Sequence, residues 1–423
     1  MSFLVSSLIL ARGGSGSGGF GGGGGGGGGG GFGGGGGAGG TATGGGVFFL
    51  VLLLIIVVVV ALAAFGAWRY GRRRRARVRA TELAAAEAAN DDADFDPETV
   101  RAETTRLFLE IQRRWSQNDV AGLEALVGPD LMVEWRRRLE DFGRKGWHNR
   151  CEPHGDPAIE YVGLVNRDGE DEDRVVVRLT ATLDDYVVDA HGRVVLKDGE
   201  DNRTTTVREW WTLHPPGECW RLLSVEQEAE GRHHLDSALI ATPWADARVA
   251  DEALVETAVA DALPAGAAVA DIAPAVLDAD ARAAALDLAL ADGRFAPDVL
   301  EVAARRAVEA WVEAVDGADD ALEAMADRGA VDALLYGGDE ARRTRVVVRG
   351  ARVERLVIVA VDARALPATM TAVMTLRGRV YVEDRDTADV VSGSKSADRT
   401  TQQRWTFALT GDAAAPWRLA SVA

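Results

Sequence analysis

Cysteine is nearly absent from this chain: two residues in 423, Cys151 and Cys219. That is too few for a disulfide framework. Cys151-Glu152-Pro153-His154 has ligand-like spacing, and His214, Cys219, His233 and His234 lie downstream. A structural zinc site needs about four converging ligands, so the plainer reading is two reduced cysteines, one in a loop and one in a strand. No cofactor is expected. Aspartate, glutamate and lysine are missing altogether from residues 1–80, where eight arginines are the only charged side chains. The whole chain has a formal charge of −18, so residues 81–423 carry −26. A body that acidic excludes a nucleic-acid partner, which requires a basic face. Phosphate loops, nucleophile elbows and metal-site signatures are lacking as well.

Most of the glycine lies in one place. Of the 34 residues from Gly13 to Gly46, 26 are glycine, a composition that cannot bury apolar surface and is expected to be disordered. Ahead of it, residues 1–12 read MSFLVSSLILAR. The apolar run Phe3–Leu10 is too short to span a bilayer. It resembles the end of a secretory signal peptide without its basic start: a degenerate signal, or a chain start assigned downstream of the true one.

Residues 47–68 are 22 positions without a charge, enough for a transmembrane helix, for which ~20 suffice. Trp68 and Tyr70 stand where an interfacial aromatic belt falls. Arg69, Arg72, Arg73, Arg74, Arg75, Arg77 and Arg79 follow at once, while the other flank has only the distant Arg12. Positive flanks stay in the cytoplasm. The expectation is a single-pass protein of the inner (plasma) membrane, N-terminus outside, with everything after Arg69 inside. The same seven arginines would serve as topology signal and as contact to anionic lipid, worth ~1 kcal/mol each near the surface.

The remainder repeats itself. Trp220-Arg221-Leu222-Leu223-Ser224-Val225 returns 197 residues later as Trp417-Arg418-Leu419-Ala420-Ser421-Val422. Phe95-Asp96-Pro97-Glu98 opens a predicted helix, with Asp96 as cap and Pro97 at the first position. Phe295-Ala296-Pro297-Asp298 opens another, 200 residues on. Each helix is followed by a short Leu/Ala-rich helical stretch and then by alternating strands. The predicted strands are 159–165, 174–183, 186–196, 204–213 and 220–225, then 344–349, 353–361, 370–382, 400–409 and 417–422. The expected architecture is α+β: a helical linker over 69–94, one module over 95–228, a helical connector over 229–293 and a second, diverged module over 294–423. Each module is helices packed on a curved antiparallel sheet.

The membrane segment, the neighbouring glycine tract, the run Phe95, Pro97, Phe108, Ile111, Gln112, Trp115, Asp119, Leu123, Leu126, and the strand residues Trp211, Trp220 and Leu222 together resemble the Tim44-like domain family, here in two tandem copies. Its namesake anchors the import motor at the mitochondrial inner membrane, and its bacterial relatives are membrane-anchored. The resemblance implies an NTF2-like or cystatin-like fold with an apolar pocket and a non-enzymatic role in protein or lipid contacts. The chain departs from the namesake in its own membrane helix and its second module, which puts a part in protein import in doubt.

Three functions are weighed. The first is a membrane-anchored scaffold whose modules contact a protein partner, as in membrane protein assembly or transport. Trp135 and Trp147, lying among arginines and Lys145, are its candidate patch. The second is a small-ligand or lipid sensor, which needs a pocket of ~300 Å3 or more. The third is an enzyme, whose candidates are Asp184, Asp185 and Tyr186 near a predicted strand end, or His148 and His154. Acidic strand ends are commonly solvated, and neither module repeats a His–Asp or Tyr–Asp pair, so the expectation is no catalysis. One outcome tests the topology: replacing Arg72–Arg75 by neutral residues should loosen or invert the orientation. Unchanged protease protection in sealed vesicles counts against it.

Overall fold

The computed structural model describes residues 44–167, 173–195, 203–215, 220–243, 271–317, 319–410 and 416–423. The expectations for residues 1–12, for most of the glycine tract, for a helix over 251–263 and for Cys219 lie outside these.

Nothing between Val47 and Ala88 stops a helix. The segment has no proline, and its two glycines, Gly66 and Gly71, stand singly. One helix, α1, accordingly runs Gly44–Ala88 without a break. At 1.5 Å per residue its 45 residues are about 68 Å long. The sequence reading separated a membrane span from a linker; the two are one rod. Its apolar part crosses no protein: Leu54, Val60 and Leu62 are each at least 60% exposed, as side chains facing lipid would be. Its last turns do the opposite. Thr81, Ala85 and Ala88 are fully buried, and α1 packs on β2 (Ala158–Val165). Asn90 closes the end, its side-chain amide donating to the carbonyl of Ala86 at 3.1 Å.

α2 (Pro97–Ser116) starts as expected, with the Asp96 carboxylate accepting from the Glu98 and Thr99 backbone amides. α3 (Val120–Glu124) and α4 (Pro129–Arg144) follow. The sheet contains β1 (Trp147–Pro153), β2, β3 (Arg174–Asp189), β4 (Val194–Val195), β5 (Thr204–His214) and β6 (Arg221–Gln227). Its order is β1-β3-β5-β6, with β2 and β4 also paired to β3. Two expected strands, 174–183 and 186–196, are mostly a single one. β3 continues straight through Asp184 and Asp185 because β5 and β1 pair with it there from both sides.

The second half repeats this order. In the described part of the expected connector, the short strands β7 (Asp271–Ile272) and β8 (Ala275–Leu277) add parallel to β9 (Thr344–Asp362). Then come α5 (Ala279–Ala289), α6 (Pro297–Asp316), α7 (Asp320–Met325) and α8 (Arg328–Tyr336). The strands are β9, β10 (Thr369–Asp384), β11 (Val390–Gly393), β12 (Arg399–Leu409) and β13 (Trp417–Val422). The equivalences at 200 residues are close. Phe95 and Phe295, Val100 and Leu300, Ala85 and Ala285 all sit in their respective cores. Asp92 and Asp292 each cap a short turn two residues on. The closing strand is stitched the same way twice, Val127 to Leu222 and Ala326 to Leu419. In each sheet a buried tryptophan of the penultimate strand meets an aromatic ring of the long helix: Trp211 on Phe108 at 5.7 Å, Trp405 on Trp311 at 6.0 Å.

The copies also differ at a cap. Ala296 has the backbone of Asp96 (φ −57, ψ 138 against φ −57, ψ 132) but no side chain to accept the helix's free amides. Ala296→Asp should therefore raise stability by about 1 kcal/mol, read as a higher denaturation midpoint of the purified chain. A neutral or lower midpoint would count against the equivalence of the two helix starts.

Candidate functional site

The arginine run splits by helical phase. Arg74 pairs with Glu160 of β2 at 3.2 Å, and Arg73 pairs with Asp236. Arg77 donates to the backbone carbonyls of Val162 at 2.7 Å and Ser237 at 2.8 Å. Tyr70, one turn earlier, donates its hydroxyl to Glu228 at 2.7 Å. Glu228 also accepts from Arg178 at 2.8 Å, which in turn reaches Glu160 at 3.1 Å. Burial and the Glu228 carboxylate raise the Tyr70 hydroxyl above its ordinary pKa. Arg69, Arg72, Arg75 and Arg79 are exposed, and Arg72 lies over the Trp68 ring. Of the seven arginines that the sequence reading gave to lipid and topology, three, Arg73, Arg74 and Arg77, also fasten the helix to the first module.

That fastening happens on a segment with a second occupant. Residues 226–237 end β6 and turn through a short 3-10 helix, Gly231–Leu235. Gly231 is packed so close to Trp210 that a Cβ would stand 2.1 Å from its ring. From the other side the second module closes on the same segment. Tyr381 donates to Glu230 at 2.7 Å, Arg379 donates to the Glu230 carbonyl, and Lys395 stands 3.7 Å from its carboxylate. Arg349 lies 3.8 Å from Glu226. Glu226 also meets His233 at 2.9 Å and His234 at 3.3 Å. Burial alone would raise Glu226; the two histidines and Arg349 outweigh it and hold the carboxyl well below its ordinary range. His234 is driven down to about 4 by burial and by His233.

A few residues away, the β10–β11 turn enters the first module. Ala388 is a fully buried member of that module's apolar core. Arg385 donates twice to Glu134 of α4, at 2.6 and 2.9 Å, and Arg137 donates to Asp386 at 2.6 Å. Arg138 and Glu383, both buried, approach to 3.9 Å.

Trp135 is not a surface residue. It is fully buried and meets Trp115 edge-on at 5.2 Å, because the apolar stripe of α4 that carries it faces the core. Trp147 is half-buried at the start of β1, with Phe142 at 6.4 Å and Lys145 over its ring. It lines a cavity of about 30 Å3 with Leu139, Phe142, His148 and Asn149, room for one or two waters. Asp185 is buried within β3 and accepts from Asn149 at 2.9 Å; Asn149 in turn accepts from the Trp115 indole at 2.7 Å. Cys151 lies on β1, buried beside Asn149. Asp184 faces outward to His154 and Thr204, Tyr186 donates to Glu152, and His148 meets the Ser116 carbonyl. Of these candidates the structure brings His154 and Asp184 together, at 3.2 Å; among the described residues, the group of metal-ligating type holds His233 and His234 with Glu226, not Cys151 or His154.

The position and make-up of this helix-bearing α+β body agree with one comparison. A model of the Tim44-like domain matches residues 81–227. Residues 81–227 are a Tim44-like domain. The Tim44-like domain thus begins inside α1, fourteen residues before the boundary at Phe95 that the sequence reading gave it; the signal was the buried Thr81–Ala85–Ala88 spacing. One copy is matched. No curated protein matches the chain by sequence. Among solved structures, the intermembrane space region of the chloroplast protein ARC6 aligns at 10% identity, over 30% of this chain and 95% of its own, with a TM-score of 0.25. An Ntf2-like protein involved in plasmid conjugation aligns at 9% identity, over 72% of this chain and 86% of its own, with a TM-score of 0.16.

The contact between the Tim44-like domain and the second module has a built-in pH dependence. Burial, opposed by Arg138 and Lys395, pushes the Glu383 carboxyl up to about 8. Neither of its oxygens takes a hydrogen bond from a described residue. The folded chain therefore keeps a proton that the unfolded chain releases near pH 4.5. The stability this gives is full below that pH and is lost as pH rises through about 8. Glu383→Gln removes the dependence, so wild type should lose stability relative to the variant between pH 5 and 9. A constant difference in melting temperature across that range would refute it.

Proposed function

We propose that the protein is a non-enzymatic, single-pass membrane scaffold that holds two α+β modules at the bilayer surface for a protein partner. The unbroken α1 carries this reading. Tyr70, which bonds to Glu228 at the end of the Tim44-like domain, is two residues beyond Trp68, about 3 Å along the helix axis. The domain therefore sits at the headgroup layer and has no stalk. In this reading the second module is a diverged second copy of the Tim44-like domain. The body lies in the cytoplasm, on the side of the arginine run. Arg69, Arg72, Arg75 and Arg79 contact anionic lipid, which offsets the repulsion between such lipid and a body of −26.

Trp147 is the partner anchor: a half-exposed aromatic beside Phe142 and Lys145, of the kind that concentrates binding energy. The cavity beside it, about 30 Å3, is an order of magnitude below what a ligand sensor needs, which favours the scaffold over that alternative. Crosslinking and capture from native membranes tests the reading. Wild type should recover a defined set of proteins, and Trp147→Ala at least about tenfold less of them. Equal recovery by a version lacking residues 81–423, or recovery of lipid alone, would overturn it.

A further inference from the structure

Three side chains at the junction converge in a way that neither the fold nor the scaffold reading requires. Glu226 ends the last strand of the first sheet; His233 and His234 stand on the 3-10 turn behind it. Their ligand atoms, one per residue, all lie within 4.8 Å of one another. The His233 Nε2 stands 2.9 Å from one Glu226 oxygen and the His234 Nε2 3.3 Å from the other. The two imidazoles are packed at 4.0 Å between centroids. Glu226 is 4% exposed, and the His233 and His234 side chains are 23% and 12% exposed.

We propose that Glu226, His233 and His234 are three ligands of a zinc-type divalent cation at the junction of the membrane helix and the two modules. The donor set suits that ion: two imidazole nitrogens and one carboxylate oxygen, with a fourth position for water. Bonds of about 2.0–2.1 Å in a tetrahedron hold ligand atoms about 3.3 Å apart. The three ligand atoms now lie within 4.8 Å of one another, with the His233 Nε2 2.9 Å from one Glu226 oxygen, a spacing that side-chain adjustment brings to that value.

The surroundings hold the ligands in place. Trp210 stacks on His234 at 5.9 Å, and Gly231 lies against the same indole. Gly350 of β9, at φ +60, is the one residue type that leaves space for His233: a Cβ there would stand 2.6 Å from the His233 Cβ. Arg349 lies 3.8 Å from the Glu226 oxygen that faces His234. With the other oxygen on the metal, Arg349 becomes the outer partner that orients the ligating carboxylate. Its positive charge also weakens the site for a bare cation, so the affinity should be moderate. Because the turn bearing both histidines also carries Arg232, which lies over Tyr70, a bound ion would brace the helix foot and the module contact together.

The test uses the full chain in detergent, free of any affinity tag, stripped with a chelator and then equilibrated with zinc at micromolar free concentration. Metal analysis should give about one zinc per chain. His233→Ala and Glu226→Gln should each retain at least about tenfold less; His154→Ala and His191→Ala should retain it all. Cobalt(II) in place of zinc should show the visible bands of a four-coordinate centre in wild type and lose them in His233→Ala. Because these side chains are buried and a variant could misfold, a second measurement needs no variant. In wild type, zinc should protect His233 and His234 from diethylpyrocarbonate, mapped by mass spectrometry, while His154 and His191 react as before. Zinc retention unaffected by the junction variants, or reactivity of His233 unaffected by zinc, would overturn the proposal.

Discussion

Three glutamates at alternate positions hold the molecule together. Glu226 lies at the end of β6, and Glu228 and Glu230 lie in the turn that follows, where the chain is no longer extended and the three side chains need not share one face. Glu228 binds Tyr70 of α1 and Arg178 of the sheet. Glu226 and Glu230 serve the second module, through Arg349 and through Tyr381 and Lys395. Five residues of chain thus join α1, the Tim44-like domain and the module that follows it.

Such a joint is more discriminating than an apolar one. Glu134, Glu226 and Glu230 on one side of the balance, and Arg138, Arg349, Arg385 and Lys395 on the other, are all buried or nearly so. Removing ions from water is costly, and their mutual attraction offsets this only in good geometry. A slide of one module past the other would leave charges unpaired in a dry interface, so alternative packings are penalised more heavily than if leucines met there. An apolar contact is made there as well, Ala388 set in the neighbour's core.

What the sequence disclosed followed from how local each feature is. Asp96-Pro97, the apolar face of α2 and the alternation of β5 and β12 are short-range patterns, and they read correctly. The unbroken α1 was hidden by composition. A switch from Val and Leu to Arg looks like a boundary, yet arginine is a good helix former and the backbone continues. β3 was divided at Asp184-Asp185 because two acids look like a turn; pairing from both sides and the Asn149 amide keep Asp185 inside the strand. Trp135 and Trp147 looked alike among their arginines, and only helix phase separates a core residue from a half-exposed one. The junction had no local signature at all. Glu226 and Arg349 are 123 positions apart, and only the folded chain brings them together.

The rod-like α1 imposes a rule on chain length. Each residue turns a helix by about 100°, so one inserted or deleted between Trp68 and Thr81 would swing the whole body around the anchor by that angle and carry Tyr70 away from Glu228. The stretch works as a phase setting as much as a spacer. Apart from Tyr70, Arg73, Arg74 and Arg77, which make the contacts, its composition can vary among good helix formers, whereas its length is fixed to the residue.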